Sequence, residues 1–448
     1  MKTEYAARRL PVVVIGAGPV GLAAAAHLTG HEVPPLVLEA GAAAGAAIGD
    51  WRHVRLFSRW GDNIDPAAGR LLDAAGWAPP DPHHRPTGAE LVQEYLLPLA
   101  RVPALAGRIR YRARVVGIGR YGMDRLGGTG RAGTPFVVRL MDGTELLARA
   151  IVDASGTWHN PNHLGGEGLP AIGEAEAAAY LDFSLPDVLG AGRPVHAGRH
   201  TVVVGAGHSA ANILLDLVEL AARQPGTRIT WVVRRVGVDP VFAPDAPDAL
   251  PARGAIGTRL RQLVESGAVA LHTGFVTGRV DVLASQVRLT ARDGRAVVAD
   301  RVVVATGFRA DHRIAAQLRL DLDPVLGTSR GLAPLIDPDL TRRLPAPPHG
   351  VAELRHPEPG YFVAGIKSYG QASAFLMATG YRQVRTIAAH LAGSSAAGWY
   401  GTGWYGTGWY GTGHRFRRPP RWHPVHPDGP VPVAQPDETV SATPYANQ

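Results

Sequence analysis

The chain has no cysteine among its 448 residues. That excludes disulfides, thiolate-bound metals and iron–sulfur clusters, and it excludes a redox-active dithiol carried by the protein itself. Lysine is nearly missing too: of 46 Lys and Arg residues, only Lys2 and Lys367 are lysines. Together with abundant Ala, Gly and Pro, this bias looks like the coding habit of a GC-rich genome. It accounts for part of the net charge of +8 and the pI near 10. No concentrated basic patch with interleaved aromatics stands in the main body of the chain, so nucleic acid is not an expected partner. No His or carboxylate pair has metal-ligand spacing, so no metal site is expected. Long apolar runs are absent as well. Met1 to Leu10 is polar, and glycines interrupt the apolar stretch behind it. Neither a signal peptide nor a membrane span is expected, and the cytoplasm is the default location.

What is abundant is glycine, 55 residues, and proline, 37, a composition suited to a fold with many turns. Two segments carry the strongest signal. Gly16-Ala17-Gly18-Pro19-Val20-Gly21 follows the apolar run Val12-Val13-Val14-Ile15, and Gly205-Ala206-Gly207-His208-Ser209-Ala210 follows Thr201-Val202-Val203-Val204. A lone GxGxxG is a weak signal. Each of these lies between a buried-strand pattern and an Ala- or Leu-rich helix pattern, where the motif has a physical reason. The first Gly makes the tight turn, the second lets a pyrophosphate approach the backbone, and the small third residue lets helix and strand pack closely. The helix N-terminus then offers unpaired N–H groups to the phosphates. Two such sites suggest two dinucleotides with electron transfer between them.

The residues after each fingerprint distinguish the two cofactors. Leu36-Val37-Leu38 reads as the next strand and ends in Glu39, a carboxylate that accepts hydrogen bonds from ribose hydroxyls and repels a 2′-phosphate. This fits the adenosine half of FAD. Ile229 to Val233 reads as the equivalent strand of the second unit. It ends in Arg234-Arg235, which suits the 2′-phosphate of NADPH. The competing reading of these two arginines is a solvated pair in an Arg-rich protein.

The expected fold class is α/β, with two Rossmann-like three-layer dinucleotide-binding domains, the NADPH domain inserted in the FAD domain. The expected boundaries are 1–160 and 305–394 for the FAD domain, 161–304 for the NADPH domain, and 395–448 for a disordered tail. Helices are expected from the Thr87-Gly88-Ala89-Glu90 capping box, over 250–267 and from Ala372 to Leu391. Strands are expected over 109–118, 136–140, 146–152, 269–276, 286–290, 296–304 and 361–365. Gly-Trp-Tyr-Gly-Thr occurs three times in tandem from Gly398 to Thr412. It and the Arg/Pro/His-rich sequence behind it have no core pattern.

Gly16-x-Gly18-x-x-Gly21, Glu39, Gly205-x-Gly207-x-Ser209-Ala210, Arg234 and Ala305-Thr306-Gly307-Phe308 together resemble the flavin-containing monooxygenase class over residues 1–393. The resemblance implies FAD and NADPH as cofactors, O2 activated as a flavin hydroperoxide, and oxygen transfer to a small nucleophilic substrate. It also implies cofactor contacts at Thr306 and Gly307. Two departures stand out. The class signature F-x-G-x-x-x-H falls on Leu169 to Glu174, which has no such His. In the disulfide-reductase relatives an Asp binds the flavin ribityl chain where this chain has Ile366.

Few residues are candidates for chemistry, because the flavin carries it. Trp51, Trp60, Asp62 and Asn63 fall in the segment that the resemblance lays along the flavin. Asn63 is a candidate hydrogen-bond donor there, or else a residue capping a turn. Ser209 is either a pyrophosphate contact or a helix cap. His159 and His208 read as ordinary loop histidines. Lys367 lies between the last strand and the last helix. There the resemblance places it beside the flavin, where an ammonium stabilises the negative charge of the reduced ring; the alternative is a surface lysine on a turn. Three functions follow: a monooxygenase, an NADPH-dependent reductase passing electrons to a quinone or protein carrier, or a non-catalytic flavin sensor. The sequence leaves the substrate and the oligomeric state open.

Overall fold

The computed structural model describes residues 10–237, 251–341, 346–372 and 375–393. The expected tail, 395–448, lies outside the described residues. Among those described, no helix is long and apolar enough to cross a membrane.

The chain opens with β1 (Val12–Ile15), α1 (Pro19–Gly30) and β2 (Pro35–Leu38). Helix α1 is buried all round from Val20 to Leu28, which is why it reads as nearly uniform apolar sequence. Its alanines let it lie close under the sheet. A short helix, α2 (Pro66–Asp73), starts where Asp65 accepts hydrogen bonds from the Ala67 and Ala68 amides. Thr87 and Glu90 form the expected capping box. The helical run they open widens to a π-turn over Leu91–Leu96 before resuming as α-helix to Arg101. Pro98 explains the irregularity. It has no N–H for the Glu94 carbonyl, and the Trp77 indole donates to that carbonyl instead, at 2.9 Å.

Next come β3 (Ile109–Arg110), β4 (Val115–Arg120), β5 (Phe136–Leu140), β6 (Glu145–Ala148) and β7 (Ala150–Asp153). The second half repeats the plan: β8 (Leu181–Asp182), β9 (His200–Val204), α3 (His208–Arg223), β10 (Arg228–Val232), α4 (Pro251–Glu265), β11 (Ala270–His272), β12 (Thr277–Val282), β13 (Val287–Ala291), β14 (Ala296–Ala299) and β15 (Arg301–Val304). The chain ends its described part with β16 (Tyr361–Val363) and α5 (Met377–Leu391).

Two parallel five-stranded sheets result, in the orders β16-β7-β1-β2-β3 and β11-β10-β9-β15-β8, each accompanied by an antiparallel three-stranded meander, β4-β5-β6 and β12-β13-β14. The protein is therefore an α/β fold with two Rossmann-like units. Three strands expected as single runs are each broken in two. Arg112, with φ +54°, separates β3 from β4. Arg149 separates β6 from β7, and Asp300 separates β14 from β15. In each case a sheet strand and a meander strand meet at the break, and hydrophobic periodicity does not register that the partner sheet has changed. β8 carries no signal of its own and forms only by pairing with β15. The last helix starts at Met377 rather than Ala372: Gly365–Tyr369 forms a 3-10 turn, and Leu376, the residue before the helix, is extended.

One half-buried group marks a cost in the second unit. Burial, and then the nearby Glu219 and Asp187, push the Asp216 carboxyl on α3 up to about 6 from 3.8. Its ionised form thus opposes folding, and stability falls as the pH rises through that interval. Asp216→Asn is expected to raise the stability above neutral pH by about 3 kcal/mol at most, and with it the Tm, and to leave both unchanged in acid. Thermal melts at the two pH values check this.

Candidate functional site

Both fingerprints have the turn geometry that a dinucleotide site needs. Gly16 has φ +96°, and a Cβ there would meet the Ala154 carbonyl oxygen at 2.8 Å. Gly205 has φ +134°, and a Cβ there would come closer still to the Ala305 carbonyl oxygen. Each turn is thereby pressed against the end of the neighbouring strand. The second glycines behave differently. A Cβ on Gly18 or Gly207 would meet no protein atom within 4 Å. No packing inside the protein requires glycine at these two positions. Gly18 and Gly207 are also the N-caps of α1 and α3, and neither helix has a side-chain cap. The first N–H groups of each helix thus have no capping side chain to accept from them, which is the arrangement that can bind a phosphate. Gly21 and the fully buried Ala210 take the third, close-packing position.

Glu39 follows the last residue of β2. Its two carboxylate oxygens accept from the Ala17 amide of the first turn and from the Gly41 amide, each at 2.7 Å. The carboxylate is thus held against the fingerprint, where a ribose would lie, with lone pairs left to accept from hydroxyls. Arg234 and Arg235 are exposed at the end of β10. The Arg234 guanidinium donates to the Gly166 carbonyl at 2.8 Å, and the Arg235 carbonyl accepts from the Gly274 amide. Ser209 is the second residue of α3 and does not cap it. That removes the capping alternative and leaves its hydroxyl in the first turn.

The two units are joined by two segments that run against each other. Thr306 donates its hydroxyl to the Asn162 carbonyl, and Asn162 Nδ2 returns a bond to the Thr306 carbonyl. The Asn162 amide bonds the Gly307 carbonyl. Thr306 and Gly307 therefore sit in the connection between the units. In place of the missing F-x-G-x-x-x-H histidine, Glu174 ties this region down. It accepts from the Leu164 and Ala171 amides and pairs with His163. Beside the connection Trp158 packs on Phe308, ring centres 4.7 Å apart, and donates its indole N–H to Asp50. Trp158 and Asp50 form one side of a cleft of about 520 Å³. Leu181 to Ser184 of the second unit form the other.

Asn63 is fully buried. Its amide oxygen accepts from Ser58 Oγ at 2.6 Å, and its Nδ2 donates to the Ser58 carbonyl. Its carbonyl accepts from the Tyr381 hydroxyl. These bonds hold the 58–63 loop, which is the turn-capping alternative. Lys367 is not a surface lysine. It is 1% exposed, and its Nζ donates to Asp153 Oδ2 at 2.7 Å and to Ser155 Oγ at 3.0 Å. Sequence reasoning missed Asp153, Ser155 and Tyr361. The available signal was an acid ending an apolar β-strand, immediately before the small-residue turn. Among the described residues no group of side chains could hold a metal.

The sequence profile of the pyridine nucleotide-disulphide oxidoreductases matches residues 10–327. The chain belongs to this family. The match covers both fingerprints and makes the protein an FAD- and pyridine-nucleotide-dependent oxidoreductase. Solved structures share the fold. A bacillithiol disulfide reductase from Bacillus cereus is 21% identical, with 86% of this chain and 99% of that one covered and a TM-score of 0.63. The FAD-bound cadaverine monooxygenase of Erwinia amylovora is 16% identical, with 86% and 94% covered and a TM-score of 0.58. A flavin-containing monooxygenase from Stenotrophomonas maltophilia is 23% identical, with 86% and 98% covered and a TM-score of 0.54. No curated protein matches the chain. Similar structures thus include both reductases and monooxygenases. Against the family's name, this chain has no cysteine with which to relay electrons to a disulfide.

Proposed function

We propose that the protein takes hydride from NADPH onto FAD and passes the electrons to an external acceptor, with O2 as that acceptor and a small nucleophilic molecule as the oxygenated substrate. The supporting observation is the pair of open, uncapped helix N-termini behind Gly18 and Gly207, one beside an acid and the other beside two arginines. The first site takes FAD: Gly16, Gly18 and Gly21 shape the pyrophosphate turn, and Glu39 accepts from the ribose. The second takes NADPH: Gly205, Gly207 and Ser209 face the pyrophosphate, and Arg234 and Arg235 hold the 2′-phosphate. When bound, the flavin supplies the hydride and oxygen chemistry. The protein's own residues bind, orient and keep water out. Thr306 and Gly307 hold the connection that sets the two sites relative to each other, Asn63 shapes the loop behind the flavin, and the aromatic-walled cleft at Trp158 admits the substrate. The missing thiols favour oxygen over a disulfide as acceptor; a quinone or carrier protein is the reductase alternative.

Arg234 gives a direct test of the second site. A charge-assisted hydrogen bond to the 2′-phosphate is worth about 1.5–3 kcal/mol. Arg234→Ala is therefore expected to raise the KM for NADPH about tenfold or more and to leave NADH nearly unchanged. Steady-state kinetics with the two nucleotides decide it; an equal loss with both means that Arg234 serves the Gly166 loop instead.

A further inference from the structure

Four polar groups meet where β7 and β16 end. Asp153 is the last residue of β7 and lies in register with Ile15 of β1 and Val363 of β16. Its carboxylate is completely buried and fully engaged. Oδ1 accepts from the Ser155 amide and hydroxyl, and Oδ2 accepts from the Tyr361 hydroxyl at 3.0 Å and from Lys367 Nζ. The ammonium gives its second bond to Ser155 Oγ. Burial alone would raise the Asp153 pKa; the Lys367 charge and the Ser155 donors outweigh it and hold the carboxyl below its ordinary value. Tyr361 is pushed well above its ordinary value by burial and by Asp153, so it stays a donor. A chain that otherwise chooses arginine has a lysine here, where a compact ammonium reaches two acceptors that belong to one turn.

The cluster adjoins the first fingerprint. The Ala154 amide donates to the Ile15 carbonyl, and the Ala154 carbonyl and Ser155 Cα are the atoms that crowd Gly16. On the other side, Lys367 stands in the Gly365–Tyr369 turn, whose Ile366 is 47% exposed.

We propose that Asp153 and Lys367 are a positioning pair for the flavin: together they lock the 153–156 turn to the 365–369 turn at the FAD crevice, and they present the flavin with a net charge of zero. This rests on the reading that the first fingerprint holds FAD. Its consequence is an asymmetry. Removing one partner leaves the other as a buried, uncompensated charge, which is strongly destabilising, whereas removing both is tolerated. The two single losses also act on the flavin with opposite sign. Reduced flavin is negative, so a lone ammonium favours reduction and a lone carboxylate opposes it.

The test compares the full-length protein with D153N, K367M and D153N/K367M. FAD affinity is read by fluorescence, and the midpoint potential is measured at neutral pH. The expected result is a loss of FAD affinity of about tenfold or more in each single variant, with recovery in the double. The potential is expected to move up in D153N, down in K367M, and back to wild type in the double. Shifts of the same sign, or losses that simply add, overturn the pair. Where a single variant does not fold, the double variant decides: a folded protein with the wild-type potential supports the pair, and one that folds no better than the singles overturns it. A wild-type protein that takes up no flavin overturns the underlying reading instead.

Discussion

Gly18→Val is expected to give a folded, colourless protein, and Gly207→Val a folded, yellow protein that NADPH no longer reduces. The reason is local. A Cβ on either glycine meets no protein atom within 4 Å, and neither glycine has positive φ, at −78° and −89°. The folded chain therefore loses little. A branched side chain instead fills the space over the helix N-terminus that a pyrophosphate needs. Losing phosphate contacts with several N–H groups at about 1.5–3 kcal/mol each is expected to weaken the affected nucleotide at least a hundredfold. Thermal melts, flavin content and NADPH titration separate the effects. If Gly207→Val also loses flavin, the two sites are not independent.

The second large effect is on stability. Glu358, three residues before β16, is buried between two arginines. Arg120 Nε donates to it at 2.8 Å, Arg131 donates through both Nε and Nη2, the latter at 2.7 Å, and the Arg319 amide donates as well. Both guanidiniums are also nearly fully buried, and Arg120 lies over the Phe136 ring. The cluster fastens the returning chain to the β4-β5-β6 meander. Glu358→Ala leaves two buried cations facing each other and is expected to cost about 3–5 kcal/mol, a fall in Tm of roughly 10 °C. Asp311→Ala, which breaks the exposed pair with Arg313, is expected to leave the Tm unchanged. Burial works to raise the Glu358 pKa, and the Arg131, Arg319 and Arg120 donors more than offset it, so its pKa is lowered. Its contribution is present at neutral pH and is lost as the pH falls below the ordinary carboxylate range.

What was legible in the sequence was what depends on neighbours in the chain. The Gly turns, the Thr87–Glu90 capping box and the acid at the end of β2 are set within a few residues, and local pattern finds them. The breaks at Arg112, Arg149 and Asp300 were not legible, because a strand keeps its alternation while changing its partner. The π-turn at Leu91–Leu96 has a local cause in Pro98, but its rescue by Trp77 comes from another element. Lys367 stands out in the sequence as an unusual choice of residue. Its partner Asp153 lies 214 residues away and is brought to it only by the parallel pairing of β16 with β7. The residues nearest the proposed chemistry are thus those that only the assembled sheet brings together.

The central claim is that one chain moves hydride from the second site to the first. Anaerobic rapid mixing of the flavin-loaded protein with NADPH tests it most directly, followed by mixing with O2. The account predicts that the visible flavin absorbance bleaches at a rate that saturates with NADPH and is much slower with NADH, and that O2 restores it. A flavin that stays oxidised under saturating NADPH, in a protein that demonstrably binds both cofactors, contradicts it.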